Sequence, residues 1–258
     1  MRVAALCDIH GNLPALEAVL REVRDAGVDE VVIGGDVLPG PLPGETLAVL
    51  LNLDIPVRFI YGNGELAILA QLNAPDPSAV TYWGTTSGSA LPEPLREVPR
   101  WTARQLRPEH AREIATWPMT LGFHFAGLGD VLFCHGTPRS ETECFTRLTP
   151  EDPLLPVFQD LGVSLVVCGH THMQFDRMIG RTRVVNAGSV GMPFGRTGAD
   201  WLLLGPGVEL RHTSYDLAAA ARLICATQYP QAGEFASRYI LDSPSEADML
   251  QAFTRISF

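Results

Sequence analysis

At 258 residues the chain is long enough for one large α/β domain or two small ones. Its acidic balance, 29 Asp and Glu against 19 Lys and Arg, argues against a partner held by bulk attraction to nucleic-acid phosphates or anionic lipid. No apolar run approaches the roughly 20 residues that span a bilayer, and five irregularly spaced cysteines point to a reduced, cytoplasmic protein with buried thiols at Cys7, Cys134 and Cys168.

The first hundred residues repeat one layout. Val3 to Cys7 is an apolar run ending in DIHGN, followed by a helical stripe of Leu16, Val19, Leu20 and Val23 that stops at Gly27. Val31 to Ile33 ends in GGD and leads to the helical ETLAVLLNL; Val57 to Tyr61 ends in GNG and leads to ELAILAQL. Three β-then-α units in succession predict parallel strands with right-handed crossovers, so their carboxyl ends share one edge of a sheet, where open α/β sheets bind ligands. Residues 73 to 100, with five prolines, break the pattern and read as an insertion or lid within a single domain covering 1–258. Beyond it the sequence predicts a helix over 102–116, a hairpin from MTLGFHF and VLFCHG, and a short helix in PLLPVFQDLG. The strands SLVVC, MQFDRMI, TRVVN, ADWLLL and VELRHT follow, and a helical tail over about 216–258 is left to pack, cap or dimerise.

Five strand ends carry polar residues beside glycine: Asp8 and His10, Asp36, Asn63, His135, and His170 with His172. Each alone reads as an ordinary turn residue. Together they place four of the seven histidines at predicted strand ends with two carboxylates and an amide, a donor set that suits Mn, Fe, Zn, Co or Ni. Seven donors exceed one tetrahedral ion and suit two ions sharing a carboxylate. His110, His124 and His212 lack such neighbours and read as structural.

The ordered series Asp8-X-His10, Gly35-Asp36, Gly62-Asn63, His135 and Gly169-His170-X-His172 resembles the calcineurin-like metallophosphoesterase superfamily over about residues 1 to 215. DIHGNLPALEAVL, GGDVLPGP, CHGTP, GHTH and NAGSVGMP resemble its small bacterial phosphodiesterase-like branch. The resemblance implies a four-layer α-β-β-α sandwich with mixed sheets and a two-metal site at the strand carboxyl ends. It implies Asp8, His10 and His172 on one ion, Asp36 bridging, and Asn63, His135 and His170 on the other, with Mn first among the metals. Asp36, Asn63 and His135 are then the catalytic set, and Asn12, Asn63 and Arg196 the candidates for holding a small phosphoester.

The implied reaction is in-line attack by a metal-bridging hydroxide without a phosphoenzyme, on a phosphodiester first. A phosphomonoester, a dinucleotide polyphosphate, or a non-catalytic scaffold on the same fold are the alternatives, and a homo-oligomer stays open. Two departures matter. Gly64 stands where many relatives carry a histidine that resembles a general acid, and GDVLPGP lacks the Asp-Arg-Gly continuation of protein phosphatases. Glu65, Tyr61 or the 73–100 segment are candidates to replace that acid, and specificity is expected from 73–100 and 137–150.

Overall fold

The computed structural model describes residues 1–74 and 93–255. In chain order, β1 (Val3–Leu6), β2 (Glu30–Gly34) and β3 (Val57–Ile60) alternate with α1 (Leu13–Asp25), α2 (Pro43–Leu51) and α3 (Asn63–Asn73). These three strands pair in parallel, as the repeated layout predicts. The expected 102–116 helix is instead two. α4 (Glu93–Gln105) ends and α5 (Pro108–Ile114) begins afresh, because Pro108 disfavours helical backbone at Arg107 and suits a first turn. The remainder of the proposed insertion, residues 75–92, lies outside the described residues.

The hairpin β4 (Thr120–Phe125) and β5 (Gly129–Cys134) is antiparallel as expected. After the short α6 (Leu155–Phe158) come β6 (Leu165–Cys168), β7 (Phe175–Ile179) and β8 (Thr182–Asn186), then β9 (Ala199–Leu204) and β10 (Val208–Thr213). Two five-stranded mixed sheets result, ordered β10-β9-β1-β2-β3 and β4-β5-β6-β8-β7. The chain closes with α7 (Leu217–Cys225), α8 (Ala232–Phe235), a π-helical turn over Ala236–Leu241, and α9 (Glu246–Phe253). Among the described residues no helix is long and apolar enough to cross a membrane.

The layering follows from side-chain alternation. Val3, Ala5 and Cys7 of the β1 segment face Phe133, Leu165 and Val167 of the second sheet. Ala4 and Leu6 face the helices through Leu16, Val19 and Leu47. A strand buried on both faces reads as an unbroken apolar run, which is what β1 shows. The outer face of the second sheet packs Val166 and Val184 on Leu154 and Phe158. The order helix, sheet, sheet, helix matches the expected four-layer sandwich. The sheets meet so that the carboxyl ends of β1, β2 and β3 adjoin those of β5 and β6: His170 N, past β6, donates to Asp8 Oδ2 at 2.8 Å, and His135 Nδ1, past β5, lies 2.9 Å from Gly34 O of β2.

Candidate metal centre

At this shared edge the chain adopts backbone that side-chain-bearing residues avoid. Asp8, His10, Asp36, His170 and His172 have φ of 55°, 48°, 52°, 67° and 58°. A left-handed residue of this kind costs about 1–3 kcal/mol and persists where its surroundings over-determine it. Here the surroundings are explicit. His170 N donates to Asp8 Oδ2 at 2.8 Å, Ser189 Oγ to Asp8 O at 2.7 Å, and His10 N to Asp36 O at 3.0 Å. Asn186 ties the His170 loop by donating to Gly169 O at 2.5 Å and Thr171 Oγ1 at 3.2 Å.

The side chains then converge as acceptors facing acceptors. Backbone carbonyls lie against Nδ1 of three rings: Pro39 O at 3.3 Å for His10, Gly34 O at 2.9 Å for His135 and Met192 O at 2.9 Å for His172. Each Nδ1 must therefore carry the proton, and in a neutral ring each Nε2 presents a lone pair. His10 Nε2 lies 3.2 Å from His172 Nε2, and His135 Nε2 lies 3.2 Å from Asn63 Oδ1 and 3.1 Å from His170 Nδ1. Asp8 Oδ1 is buried with no hydrogen-bond partner and sits 3.3 Å from His172 Nε2 and 3.9 Å from His135 Nε2. Asp36 spans both sides, with Oδ2 3.8 Å from His10 Nε2 and Oδ1 3.6 Å from His135 Nε2. Two groups could each hold a metal ion: Asp8, His10 and His172, and Asp8, Asp36 and His135. An orphaned buried carboxylate oxygen among imidazole lone pairs fits divalent cations and little else.

The titration behaviour agrees. Burial, then the neighbouring His172, pushes His10 down to about 3, and burial, then His135, does the same to His170, so both rings are neutral at pH 7. Burial and then the Asp8 charge raise Asp36 well above the usual carboxylate range. Burial acts to raise Asp8 as well, but the favourable interaction with the adjoining His172 and His135 rings outweighs it and holds that carboxyl low. Two carboxylates this close ionise together only at a cost that a cation between them removes.

Gly64 is a steric requirement. An added Cβ would lie 2.0 Å from Leu38 O and 2.9 Å from Asp36 Oδ1, while Gly64 N donates to Asp36 Oδ1 at 2.7 Å. No histidine fits there on this backbone. Glu65 does not face the site either. Its carboxylate accepts from Asp36 N at 2.8 Å, Gly62 N at 2.8 Å and Leu38 N at 3.0 Å, joining the ends of β2 and β3 to the start of α3. Burial, then the Asp36 charge, lifts it to about 7 against the pull of those three donors.

The structure brings together Asp8, His10, Asp36, Asn63, His135, His170 and His172, and engages the other two candidates with protein groups. Asn12 caps α1 by accepting from Ala15 N at 3.3 Å, and it donates to Gly191 O at 2.8 Å and Tyr215 OH at 3.1 Å. Arg196 is bound to Asp200 at 2.6 Å and Gln174 at 2.9 Å. Sequence reasoning overlooked Cys144, whose Sγ lies 3.1 Å from His170 Nε2 and thereby leaves His170 Nδ1 facing the cluster. A lone cysteine in a loop carries no signal that would have marked it.

A double-sheet sandwich with two carboxylates and four imidazoles converging at the strand ends defines a class of binuclear metal-dependent hydrolases. The calcineurin-like phosphoesterase superfamily domain matches residues 1–204, and the chain belongs to that superfamily. It is 23% identical over 249 residues to an uncharacterized protein of Methanocaldococcus jannaschii, covering 89% of this chain and 94% of that one. A hypothetical protein of Pyrococcus horikoshii shares the fold with a TM-score of 0.77 at 20% identity, covering 94% of this chain and 99% of its own. A metallophosphoesterase of Sphaerobacter thermophilus does so at 0.68 and 23%, covering 93% and 98%.

Three outcomes are expected. Glu65→Ala strands three buried N–H donors at about 1–3 kcal/mol each, so urea unfolding should show a loss of at least about 3 kcal/mol. Gly64→His should lower the affinity for the second metal at least ten-fold by isothermal titration and reduce turnover of alkyl esters; a gain in either would contradict the steric reading. A divalent ion at a hundred times its Kd adds about 2.7 kcal/mol per site; differential scanning calorimetry should show a rise of roughly 5–10 °C, reversed by EDTA.

Proposed function

We propose that the protein hydrolyses phosphoesters, phosphodiesters first, at a pair of divalent ions of which Mn is the preferred species. The observation that supports this best is the buried Asp8 Oδ1, which has no hydrogen-bond partner and lies 3.3 Å from His172 Nε2 and 3.9 Å from His135 Nε2, an arrangement that a cation makes favourable. Asp8, His10 and His172 would hold one ion and Asn63, His135 and His170 the other, and Asp36, with an oxygen toward each side, would serve both. When bound, the two ions neutralise phosphoryl charge and lower the pKa of a water for attack.

The chain's own residues do the positioning. The carbonyls of Pro39, Gly34 and Met192 hold the three rings in the ligating tautomer. Gly64 N holds Asp36 Oδ1. Asn63, in the first turn of α3, offers a neutral oxygen, which would leave an ion held there more net positive charge than a carboxylate would. None of these groups is a Ser or Cys nucleophile; all five cysteines are free, and burial raises Cys7, Cys134 and Cys168 out of the reactive range. With no imidazole at position 64, ester oxygens that leave without full protonation are favoured, which selects activated diesters over phosphoserine-like alkyl monoesters.

The test is turnover of bis-p-nitrophenyl phosphate by the full chain with Mn, Fe, Zn, Co and Ni in turn. Metal-dependent activity that falls at least 100-fold in Asp36→Asn is expected, and no activity with any ion sinks the hydrolase reading. A chiral phosphorothioate diester should react with inversion at phosphorus; retention would require a covalent intermediate and overturn the single in-line step.

A further inference from the structure

The cluster forms the floor of a cavity of about 340 Å³ whose roof comes from the C-terminal tail. His10, Asp36, Asn63, His170 and His172 supply the polar floor, while Tyr229, Phe235 and Tyr239 supply an aromatic wall. Residues 137–150 do not line it, and of the described part of 73–100 only Val98 does.

The wall is built as a fixed surface. Phe235 packs with Ala221, Ile224, Ala236 and Ile240 in a small core of its own. Tyr229 meets Trp101 of α4 edge-on at 5.4 Å and Phe235 at 5.8 Å, and Phe235 lies 5.6 Å from Tyr239. The wider π-helical turn over Ala236–Leu241 sets Phe235 and Tyr239, four residues apart, on one side; such turns recur at functional sites. Gln231, on the cavity rim, has φ 66° and is the one left-handed non-glycine residue among those described that lies outside the metal cluster. Arg238 is the one Arg or Lys lining the cavity among the described residues, and its guanidinium sits 5.6 Å from the Tyr239 ring centre.

We infer that the tail forms the substituent pocket of the substrate, and that the phosphoester carries a flat aromatic or heteroaromatic group which packs on Tyr229 and Tyr239 while its phosphoryl group lies over the metal cluster. This rests on the phosphoesterase reading for the floor, but the wall selects independently of turnover. A cavity of this volume with one aromatic side leaves uncovered apolar surface when a small alkyl phosphoester binds, and covers it when a ring does. Arg238 stands at the rim, paired with Glu234 at 3.7 Å, with its guanidinium against the Tyr239 ring.

The experiment uses two probes that are not hydrolysed, phenylphosphonate and methylphosphonate, titrated calorimetrically into the Mn-loaded full chain. Phenylphosphonate is expected to bind at least ten-fold more tightly. In Tyr239→Ala that ratio should fall below about three, and in Tyr239→Phe, which keeps the ring, it should stay above about ten. Equal affinities in the wild-type protein overturn the inference without needing any variant. A ten-fold preference that survives both Tyr239→Ala and Tyr229→Ala overturns the assignment to this wall. A phenyl preference together with no hydrolysis of any ester would leave the pocket standing and remove the hydrolase reading, so the two fail separately.

Discussion

Everything at the functional edge is organised around one electrostatic problem: acceptor atoms aimed at one another in a buried place. Three Nδ1–H groups are turned outward to the carbonyls of Pro39, Gly34 and Met192, which leaves the Nε2 lone pairs no choice but to face inward. Five left-handed residues and an unpartnered Asp8 Oδ1 are the structural cost of that geometry. Local strain and unsatisfied buried polarity at the same spot are a signature of a site that a charged ligand completes. The acidic balance of the chain is no obstacle to the proposed binding of a phosphoester, because cations held in this cluster would supply the attraction locally.

A second constraint follows from how tightly the loops that carry the acceptors must pack. Glu65 ties the ends of β2 and β3 to the first turn of α3 through three backbone donors. The Leu38 carbonyl is thereby held against Gly64, where an added Cβ would lie 2.0 Å away. The absence of a general-acid histidine at this position is a property of the packing, since the space is taken by backbone. The clamp that holds Asp36 in place thus also leaves no room for an imidazole beside Asn63.

The tail changes the character of the site from an open edge to a walled cavity. Its aromatic side chains come from a segment with its own small core, so the roof is held by packing among α7, α8 and the π-helical turn as well as by contact with α4.

The sequence by itself determined the three parallel βα units and the polar residues that converge at the shared sheet edge. Each lies at the end of an apolar run closed by glycine, and a strand buried on both faces writes that signal without interruption. Asp8, His10, Asp36, Asn63, His135, His170 and His172 were legible for this reason. The partners of Asn12 and Arg196 were not, because sequence spacing does not reveal them: Gly191 O, 179 residues from Asn12, and the buried carboxylate of Asp200 for Arg196. Only the tertiary structure decided that Cys144 backs His170, that Glu65 points into backbone donors rather than toward substrate, and that the tail roofs the cavity. These are consequences of packing between segments far apart in the chain, where the contact, and not the local pattern, sets what a side chain does.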